Sequence, residues 1–326
     1  MAKANPFEFN LFRAIEVFVA VVETRHVTQA AEMLGITQSA ASQQLQSLER
    51  ALGVQVIDRT TRPAQLTKSG IALHKRAMTI LSEVESLRAE VRQIGAVPLP
   101  QLRIAMLASI STTLCPVLAG LARDRFDIPE LILTAGLSSD HQNLLRSRKT
   151  DLAITSDNLF EIDGLARYPI LREQFLLVVP KGCKGPFDDL ETLAQTLPMV
   201  RFTREAVVGM RTDQHLSRVR VNLPRFIEGD RSSIVMAPVA AGMGFTLLTP
   251  TLLLDGLAEG MEIDVHPLPF AGFHREIALV TRERELGDLP DAFAAASAHT
   301  LAATIAARLP DLPPDSFQLH TSEAAA

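Results

Sequence analysis

The sequence predicts a mixed fold class: a small, all-α N-terminal domain carrying a short two-stranded wing, a linker helix, and a larger α/β domain. Three observations predict it. Near position 36, two helical patterns are joined by only three residues. A later segment repeats its apolar residues every three or four positions, as one long helix does. Beyond residue 100, strand-like and helix-like segments alternate. The 326 residues suffice for two or more domains.

Composition and charge limit the class of protein. The chain is 47% hydrophobic and 21% charged, as globular proteins are. Two cysteines, Cys115 and Cys183, are too few for a disulfide framework and favour a reduced cytosol. With no signal peptide or membrane-length apolar run in the sequence, we expect a cytoplasmic protein without membrane contact. No metal-ligand cluster or cofactor motif is recognisable, so neither a metal nor a cofactor is expected.

The charge is unevenly distributed along the chain. The whole chain carries a net charge of −5, yet residues 25–76 hold seven basic and three acidic side chains. A basic segment attached to an acidic body predicts one module that binds a polyanion and another that does not.

The N-terminal pattern predicts a helix-turn-helix. Apolar spacing predicts a first helix over residues 11–24 and a short second helix from Thr28, as its N-cap, to residue 34. Gly35 suits the left-handed end of that helix, and Thr37 suits the N-cap of the next. The third helix then buries a stripe made of Ala41, Leu45, Leu48 and Leu52 and ends at Gly53.

The opposite face of the third helix carries amides and hydroxyls where most surface helices carry Lys and Glu. Its side chains are Gln38, Ser39, Ser42, Gln43 and Gln46. Such groups donate and accept hydrogen bonds to base edges in the major groove of DNA, whereas a lysine face binds phosphate anywhere. The alternative is a plain solvated face, because Gln suits any helix.

The residues after Gly53 predict a wing, a short strand pair whose tip carries Arg59 and Arg62. Together with Thr28 and Lys68, these two arginines are candidates for contacts to the DNA backbone.

A heptad pattern follows the wing. Apolar residues from Leu73 to Ile94 are spaced alternately four and three apart, and the seam includes Ile80, Val84, Leu87 and Val91. Two interpretations compete, a helix packed on its own domain and a dimer interface, and the polar flanks favour the dimer.

From Pro100 onward, alternation of strand and helix patterns predicts a mostly parallel sheet. The last helix pattern ends near residue 309, and the residues after it lack periodicity, which predicts a mobile tail.

Nearly the whole chain resembles the LysR-type transcriptional regulators. The resemblance is carried by Ala30-Ala31 and by residues 36–70, with Gln-Ser-x-x-Ser at 38–42, Leu48-Glu49, Leu52-Gly53, Arg59, Leu66-Thr67 and Gly70. The sequence departs from the family pattern at His26-Val27, Ile57 and the "KGCKGPF" segment, and none of these positions lies on the expected base-reading face.

The resemblance implies a winged helix-turn-helix over residues 1–68, a dimerising linker helix over 69–96 and an effector domain over 97–308. That domain would resemble a periplasmic binding protein, with lobe 1 formed by 100–172 and 274–308, lobe 2 by 173–273, and a mobile tail over 309–326. The crossings between lobes would lie near Arg172–Phe175 and Gly272–Arg275. Implied partners are double-stranded DNA, a small-molecule effector and a second chain in a homodimer that pairs further into a tetramer. RNA polymerase is a further candidate partner.

Hydroxyls at helix starts are the candidate effector ligands, since ligands of two-lobed α/β domains bind at strand ends and helix N-termini. The candidates at helix starts are Ser109, Ser111, Ser138 and Ser232, and Phe202 and Thr203 are candidates at the end of a strand. Free N–H groups at these ends favour an organic acid or another small anion. The alternative is ordinary helix capping by each hydroxyl.

Two other classes of protein compete with a ligand-responsive regulator. A solute-binding protein would share the cleft but would lack the helix-turn-helix. An enzyme would need a catalytic constellation, and none of the H-E-x-x-H, G-x-S-x-G or P-loop motifs is present. The sequence therefore predicts a protein that is not an enzyme.

Overall fold

The computed structural model describes residues 10–58, 65–94, 99–156 and 164–319, and the chain divides into two compact units, Met1–Val91 and Arg92–Ala326. We call them the N-terminal and C-terminal units. Within the described ranges, no helix combines the length and the apolar character needed to cross a bilayer.

The N-terminal unit is a helical core with a two-stranded wing, and its last helix extends beyond it. Its elements are α1 (Leu11–Thr24), α2 (Val27–Met33), α3 (Gln38–Leu52), β1 (Ile57–Asp58), β2 (Gln65–Leu66) and α4 (Lys68–Ile94). Ala30 and Ala31 of α2 are buried between α1 and α3, where their small side chains allow close approach. The wing strands pair antiparallel, Ile57 with Leu66.

The helix ends of the helix-turn-helix follow local signals. Gly35 (φ +64°) and Gly53 (φ +69°) adopt the left-handed conformation, as predicted. The Thr37 side chain accepts a hydrogen bond from the Ala40 N–H at 3.2 Å, so its N-cap role is confirmed. Thr28 is not the N-cap of α2. His26 takes that place, because left-handed Arg25 ends α1 and only one extended residue separates the helices.

The buried stripe of α3 is shorter than predicted. Ala41, Leu45 and Leu48 are buried, whereas Leu52 is exposed in the last turn of the helix. The chain leaves the core at that turn, so the fourth position of the stripe has nothing to pack against.

The C-terminal unit alternates strands and helices. Its elements are β3 (Leu102–Leu107), α5 (Ala108–Asp124), β4 (Leu131–Gly136), α6 (Ser138–Arg146), β5 (Leu152–Thr155), β6 (Leu165–Gln174), β7 (Leu176–Pro180), α7 (Leu190–Thr196), β8 (Val200–Phe202), α8 (Val207–Arg218), β9 (Ile227–Gly229), α9 (Ser232–Ala240), β10 (Thr246–Leu248), α10 (Pro250–Gly256), β11 (Ile263–His266), β12 (His274–Arg282), α11 (Leu289–Arg308) and β13 (Phe317–Leu319).

Six strands form the large sheet, in the order β13-β6-β12-β5-β3-β4. Only the pairings of β3 with β4 and of β3 with β5 are parallel. β12 pairs antiparallel with both β5 and β6, and β13 pairs antiparallel with β6. The prediction of a mostly parallel sheet is therefore wrong. Local patterns show alternation, but they do not show that late strands return to the sheet from the other direction.

A second, small sheet has the order β10-β7-β11 with antiparallel pairing. A parallel bridge between Met199 and Phe245 joins it to the β8-β9 pair. Each sheet has its own hydrophobic core. Core A includes Ile104, Leu114 and Phe293 at the large sheet, and core B includes Val178 and Phe245 at the small sheet.

The chain passes from the large sheet to the small sheet between β6 and β7 and returns between β11 and β12. The Phe175 N–H donates to the Phe273 carbonyl at 3.0 Å, and the two rings stack with centroids 3.9 Å apart. The ring of His215 on α8 stacks on the other side of Phe273 at 4.1 Å. The two crossing segments are therefore held side by side.

A buried ion pair lies beside these crossings. The Arg275 Nε–H on β12 donates to Glu173 Oε1 on β6 at 2.6 Å, and both side chains are almost fully buried, with 2% and 0% exposed. Glu173 also accepts from the N–H and the hydroxyl of Thr251 at 2.8 and 2.7 Å, at the start of α10. Leu254 of α10 packs in core A, while Leu252 and Leu253 pack in core B.

The segment after α11 is ordered as far as residue 319. Phe317–Leu319 form β13, which pairs antiparallel with residues 171–173 of β6. The predicted mobile tail is thus wrong for residues 309–319, because edge pairing and apolar contacts hold a segment that has no periodicity of its own. Residues 320–326 lie outside the described part.

Candidate nucleic-acid interface and effector site

The polar face of α3 is open to solvent within the N-terminal unit. Gln38, Ser39, Gln43 and Gln46 are exposed, and Ser42 is half-buried. The Ser39 hydroxyl lies 3.0 Å from that of Thr37, the N-cap. The opposite face packs in the core, so the amides and hydroxyls project from a fixed helix.

Glu49 fixes the wing to α3. Its Oε1 accepts hydrogen bonds from the N–H groups of Val56 (3.0 Å) and Ile57 (3.4 Å). A carboxylate holding two backbone donors is a strong anchor. The Leu48-Glu49 signature therefore supplies one core leucine and one side chain that positions the wing.

Thr67 and Gly70 join the wing to α4. The Thr67 hydroxyl donates to the Gln55 carbonyl at 2.8 Å and accepts from the Gly70 N–H at 3.0 Å, so it caps α4. A Cβ on Gly70 would lie 2.0 Å from the Val56 carbonyl oxygen, so only glycine fits without a shift of backbone. The Leu-Thr…Gly signature is explained by this close approach.

Arg13 supports the turn between α2 and α3, and the sequence did not predict this role. Its guanidinium donates to the Leu34 carbonyl at 3.0 Å and pairs with Glu16 at 2.8 Å. The Leu34 carbonyl is at the C-cap of α2, where helix carbonyls lack partners. No local pattern marks this contact, since the two residues are 21 positions apart.

The basic residues of the segment 25–76 are exposed wherever the structure describes them. Arg25, Arg50, Lys68, Lys75 and Arg76 all reach solvent. Arg59 and Arg62, the predicted wing-tip contacts, lie outside the described residues, as does the tip itself. Thr28 is exposed in the first turn of α2.

The heptad seam of α4 has two parts. Leu73 and Ala77 pack against the core of the N-terminal unit, as does Leu81, which lies outside the seam. Further along, Val84 is half-buried, and Ile80, Leu87 and Val91 are exposed. The packed-helix interpretation thus explains the first turns, and the later seam positions leave an apolar face uncovered in the single chain.

The predicted effector serines lie in first turns of helices, as expected, but they do not cap them, and Thr203 directly follows β8. The N-cap positions of α5, α6 and α9 are Leu107, Leu137 and Arg231, and none supplies a side-chain cap. Ser111 instead donates to the Ala108 carbonyl at 2.9 Å. The capping alternative is therefore not what these side chains do.

The other predicted effector positions are mostly buried. The hydroxyls of Ser138 and Ser156 lie 2.9 Å apart, so the start of α6 is joined to the residue after β5. Ser109, Phe202 and Ser232 are buried, and Thr203 is half-buried. The Ser138–Ser156 contact therefore joins a predicted effector hydroxyl to the end of β5 in the large sheet.

A cationic group at the crossings was not predicted. The guanidinium of Arg172 on β6 lies 3.0 Å from Nδ1 of His274 on β12. Burial, together with the positive charges of Arg172 and Arg211, lowers the pKa of His274, while Glu276 acts to raise it. Arg211 belongs to α8, so a positive charge from this helix acts on His274 in addition to that of Arg172 on β6. The residues are far apart in sequence, and only the antiparallel pairing of β6 with β12 brings them together.

Two pockets and the metal-ligand geometry were compared with the predicted effector residues. One open pocket is lined by Arg204, Met210, Asp213, Gln214 and Ser217, and another lies between the end of α11 and residues 309–317. None of the predicted effector residues lines either. Across the described residues, no group of three or more His, Cys, Asp or Glu side chains is arranged to hold a metal ion.

Comparison with known proteins agrees with this architecture. Residues 12–71 match the bacterial regulatory helix-turn-helix proteins of the lysR family, and residues 96–304 match the LysR substrate binding domain. The chain belongs to the LysR family of transcriptional regulators. This LysR-type protein therefore pairs a DNA-binding helix-turn-helix with an effector-binding domain.

Relatives of this LysR-type regulator cover most of its length. An uncharacterized HTH-type transcriptional regulator of Mycobacterium tuberculosis is 30% identical over 281 residues, 81% of this chain and 88% of that protein. The nitrogen assimilation regulatory protein nac of Klebsiella aerogenes is 30% identical over 256 residues, 76% of this chain and 82% of that one. A full-length OxyR variant of Pseudomonas aeruginosa has a similar fold, with a TM-score of 0.63 at 20% identity over 92% of this chain and 95% of that chain.

Proposed function

We propose that this regulator reads a two-fold-related operator through α3 and senses a small anion, an organic acid by preference, between two lobes of its C-terminal unit. The observation that carries the proposal is the solvent-facing amide and hydroxyl face of α3, held in place by the core on one side and by Glu49 and the wing on the other. A fixed helix with neutral donors and acceptors suits base reading.

Each polar residue has a proposed role at the DNA. Gln38, Gln43 and Gln46 reach base edges, where an amide pairs bidentately with adenine, and Ser39 and Ser42 contact bases or nearby phosphates. Thr28, Arg59, Arg62 and Lys68 contact the sugar-phosphate backbone and set the register. Because DNA is the target, the protein acts in the cytoplasm.

The two-fold symmetry of the operator follows from the linker helix. We propose that Ile80, Val84, Leu87 and Val91 pair α4 with the same helix of a second chain, which covers the exposed part of the seam. A two-fold dimer presents two copies of α3 and demands two related half-sites. Contacts between effector domains would extend the dimer to a tetramer, and an activating role would add RNA polymerase as a partner.

The preference for an anion rests on two features. The N-termini of α5 and α6, which carry Ser109 and Ser138, lack side-chain caps, and uncapped helix starts favour negative charge. Arg172 and Arg211 add positive charges that act on His274 near the crossings. A carboxylate that bridged elements of both lobes would stabilise one arrangement of the lobes over others.

DNA reading is tested with an operator selected from a random duplex pool by the wild-type protein. We expect Gln43→Ala to weaken operator binding by about 1–3 kcal/mol while leaving binding to random duplex unchanged. Gln214→Ala, an exposed glutamine of the C-terminal unit, is the matched control. Equal losses on both DNAs would assign Gln43 to positioning and contradict base reading.

Effector chemistry is tested by thermal unfolding with a panel of mono- and dicarboxylates and their neutral amides. We expect a carboxylate to raise the melting temperature of the C-terminal unit, its amide to have no effect, and Arg211→Gln to reduce the shift. Arg220→Gln, an exposed arginine just beyond α8, serves as the control. Stabilisation by the amides alone would contradict an anionic effector.

A further inference from the structure

The segment after the last helix runs between the two sheets. Residues 309 and 312 are leucines, and each packs against both core A and core B. Beyond them, the buried Ser316 accepts a hydrogen bond at its carbonyl from the Gln174 N–H at 2.8 Å, and Phe317 packs against core A.

The same segment also pairs with β6 next to the first crossing. β13 pairs with residues 171–173 near the end of β6, just before the chain enters the small sheet at Leu176. On the side of the small sheet, the negative charge of Asp311 contributes to the raised pKa of Lys181, whose main partner is Asp264 at 2.8 Å. One end of the segment is thus bound to the large sheet while its middle contacts the core and charges of the small sheet.

We propose that Leu309–Leu319 form a strap that ties the two sheets together across the crossings and limits their rotation against each other. A rotation about the crossings would keep β13 on β6 but would pull Leu309 and Leu312 off core B, which exposes apolar surface. Two crossing segments alone form a hinge, and a third tether away from their axis restrains it. The consequence for regulation rests on the proposed function: an effector that rearranges the lobes acts against the strap.

Two native cysteines serve as labelling sites for this test. The chain has only two cysteines: Cys115 is exposed on α5, a helix that packs in core A, and Cys183 is partly buried against core B. Spin labels on both therefore report the distance between the two sides. The measurement uses the full chain, with labelled protein diluted into an excess of unlabelled protein so that distances within one chain dominate.

The variants are Leu312→Asp and Leu319→Asp. Both leucines belong to the strap, but Leu312 packs against both cores, whereas Leu319 is 42% exposed at the end of β13. We expect Leu312→Asp to broaden or split the distance distribution and Leu319→Asp to leave it as in wild type. Leu312→Ala removes the same contacts without burying a charge, and it keeps the test available should the aspartate variant fail to fold.

Hydrogen exchange gives the second readout. In Leu312→Ala we expect amides of the peptide spanning residues 170–176 to exchange at least about tenfold faster, with β3 unchanged. If exchange rises only in residues 309–319 and the distance distribution stays that of wild type, the segment is ordinary surface packing and the strap is refuted. Neither readout uses DNA or an effector, so its failure is separate from failure of the proposed function.

Discussion

The buried pair of Glu173 and Arg275 offers the sharpest test of how the C-terminal unit is held together. Arg275→Met keeps the length and apolar stem of the side chain but removes its charge and its donors. Glu173, which is 0% exposed, then keeps its negative charge with the Thr251 donors as its remaining partners in the described structure. Removal of one partner from a buried ion pair leaves the other charge buried without its counter-charge.

The expected cost is large on the scale of point mutations. Arg275 supplies one charge-assisted hydrogen bond to Glu173 at 2.6 Å and a second hydrogen bond to the Thr251 hydroxyl. Breaking such a buried pair costs about 3–5 kcal/mol. For a unit of this size, each kcal/mol lowers the melting temperature by about 2–4 °C, so we expect a fall of roughly 6–20 °C.

The assay uses the one tyrosine of a chain that has no tryptophan. Tyr168 lies on β6, within the large sheet, so urea unfolding followed by tyrosine emission reports on the C-terminal unit. Arg125→Met is the matched control, because it removes an exposed pair with Asp288, worth about 0–1 kcal/mol. If Arg275→Met costs no more than this control, the buried pair does not stabilise the crossings as we argue.

Three further predictions concern DNA, assembly and pH. Lys68→Gln should reduce the slope of log affinity against log salt by about 0.9, the value for one phosphate contact. Leu87→Asp, 60% exposed on α4, should dissociate the dimer in sedimentation, whereas Ile71→Asp, 61% exposed on the same helix off the seam, should not. Burial acts to raise the pKa of Glu285, but Arg282 and Arg148 outweigh it and hold the pKa below the ordinary 4.5. Its stabilising contribution is therefore complete above about pH 4.5 and is lost as pH falls through the lowered value, so Glu285→Gln should lose less stability on acidification.

Each of these predictions has an outcome that would contradict it. An unchanged salt slope would remove Lys68 from the phosphate contacts, with Lys184→Gln as the control in the other unit. A Leu87→Asp protein that sediments like wild type would place the dimer interface elsewhere. Parallel acid-stability curves for Glu285→Gln and wild type would mean that the two arginines do not favour the ionised carboxylate.

The helix-turn-helix could be read from the sequence because its signals are local. The Thr37 cap, the left-handed Gly35 and the stripe from Ala41 to Leu48 each act within one or two helical turns. Helix periodicity and caps depend on neighbours a few residues away, so they remain visible in a single chain. The heptad seam was visible for the same reason, although the sequence could not show that Leu73 and Ala77 pack on their own unit.

The large sheet could not be predicted from local patterns in the same way. β6 was not predicted, and the antiparallel return of β12 overturned the expectation of a mostly parallel sheet. Residues 317–319 form a strand only because β6 offers them an open edge. Strand pairing depends on partners distant in the chain, and alternation of polar and apolar residues does not name the partner or its direction.

The sequence by itself determined the modules, their order and the polar face that we propose as the DNA contact. Only the tertiary structure decided what holds each module in place: Arg13 on the turn, Glu49 on the wing, and Glu173 with Arg275 at the crossings. The last two are 102 residues apart, and neither position carries a local signal. Their side chains meet because two strands pair in register, and the free energy of a charge pair depends on distance in space and on burial, neither of which the sequence displays.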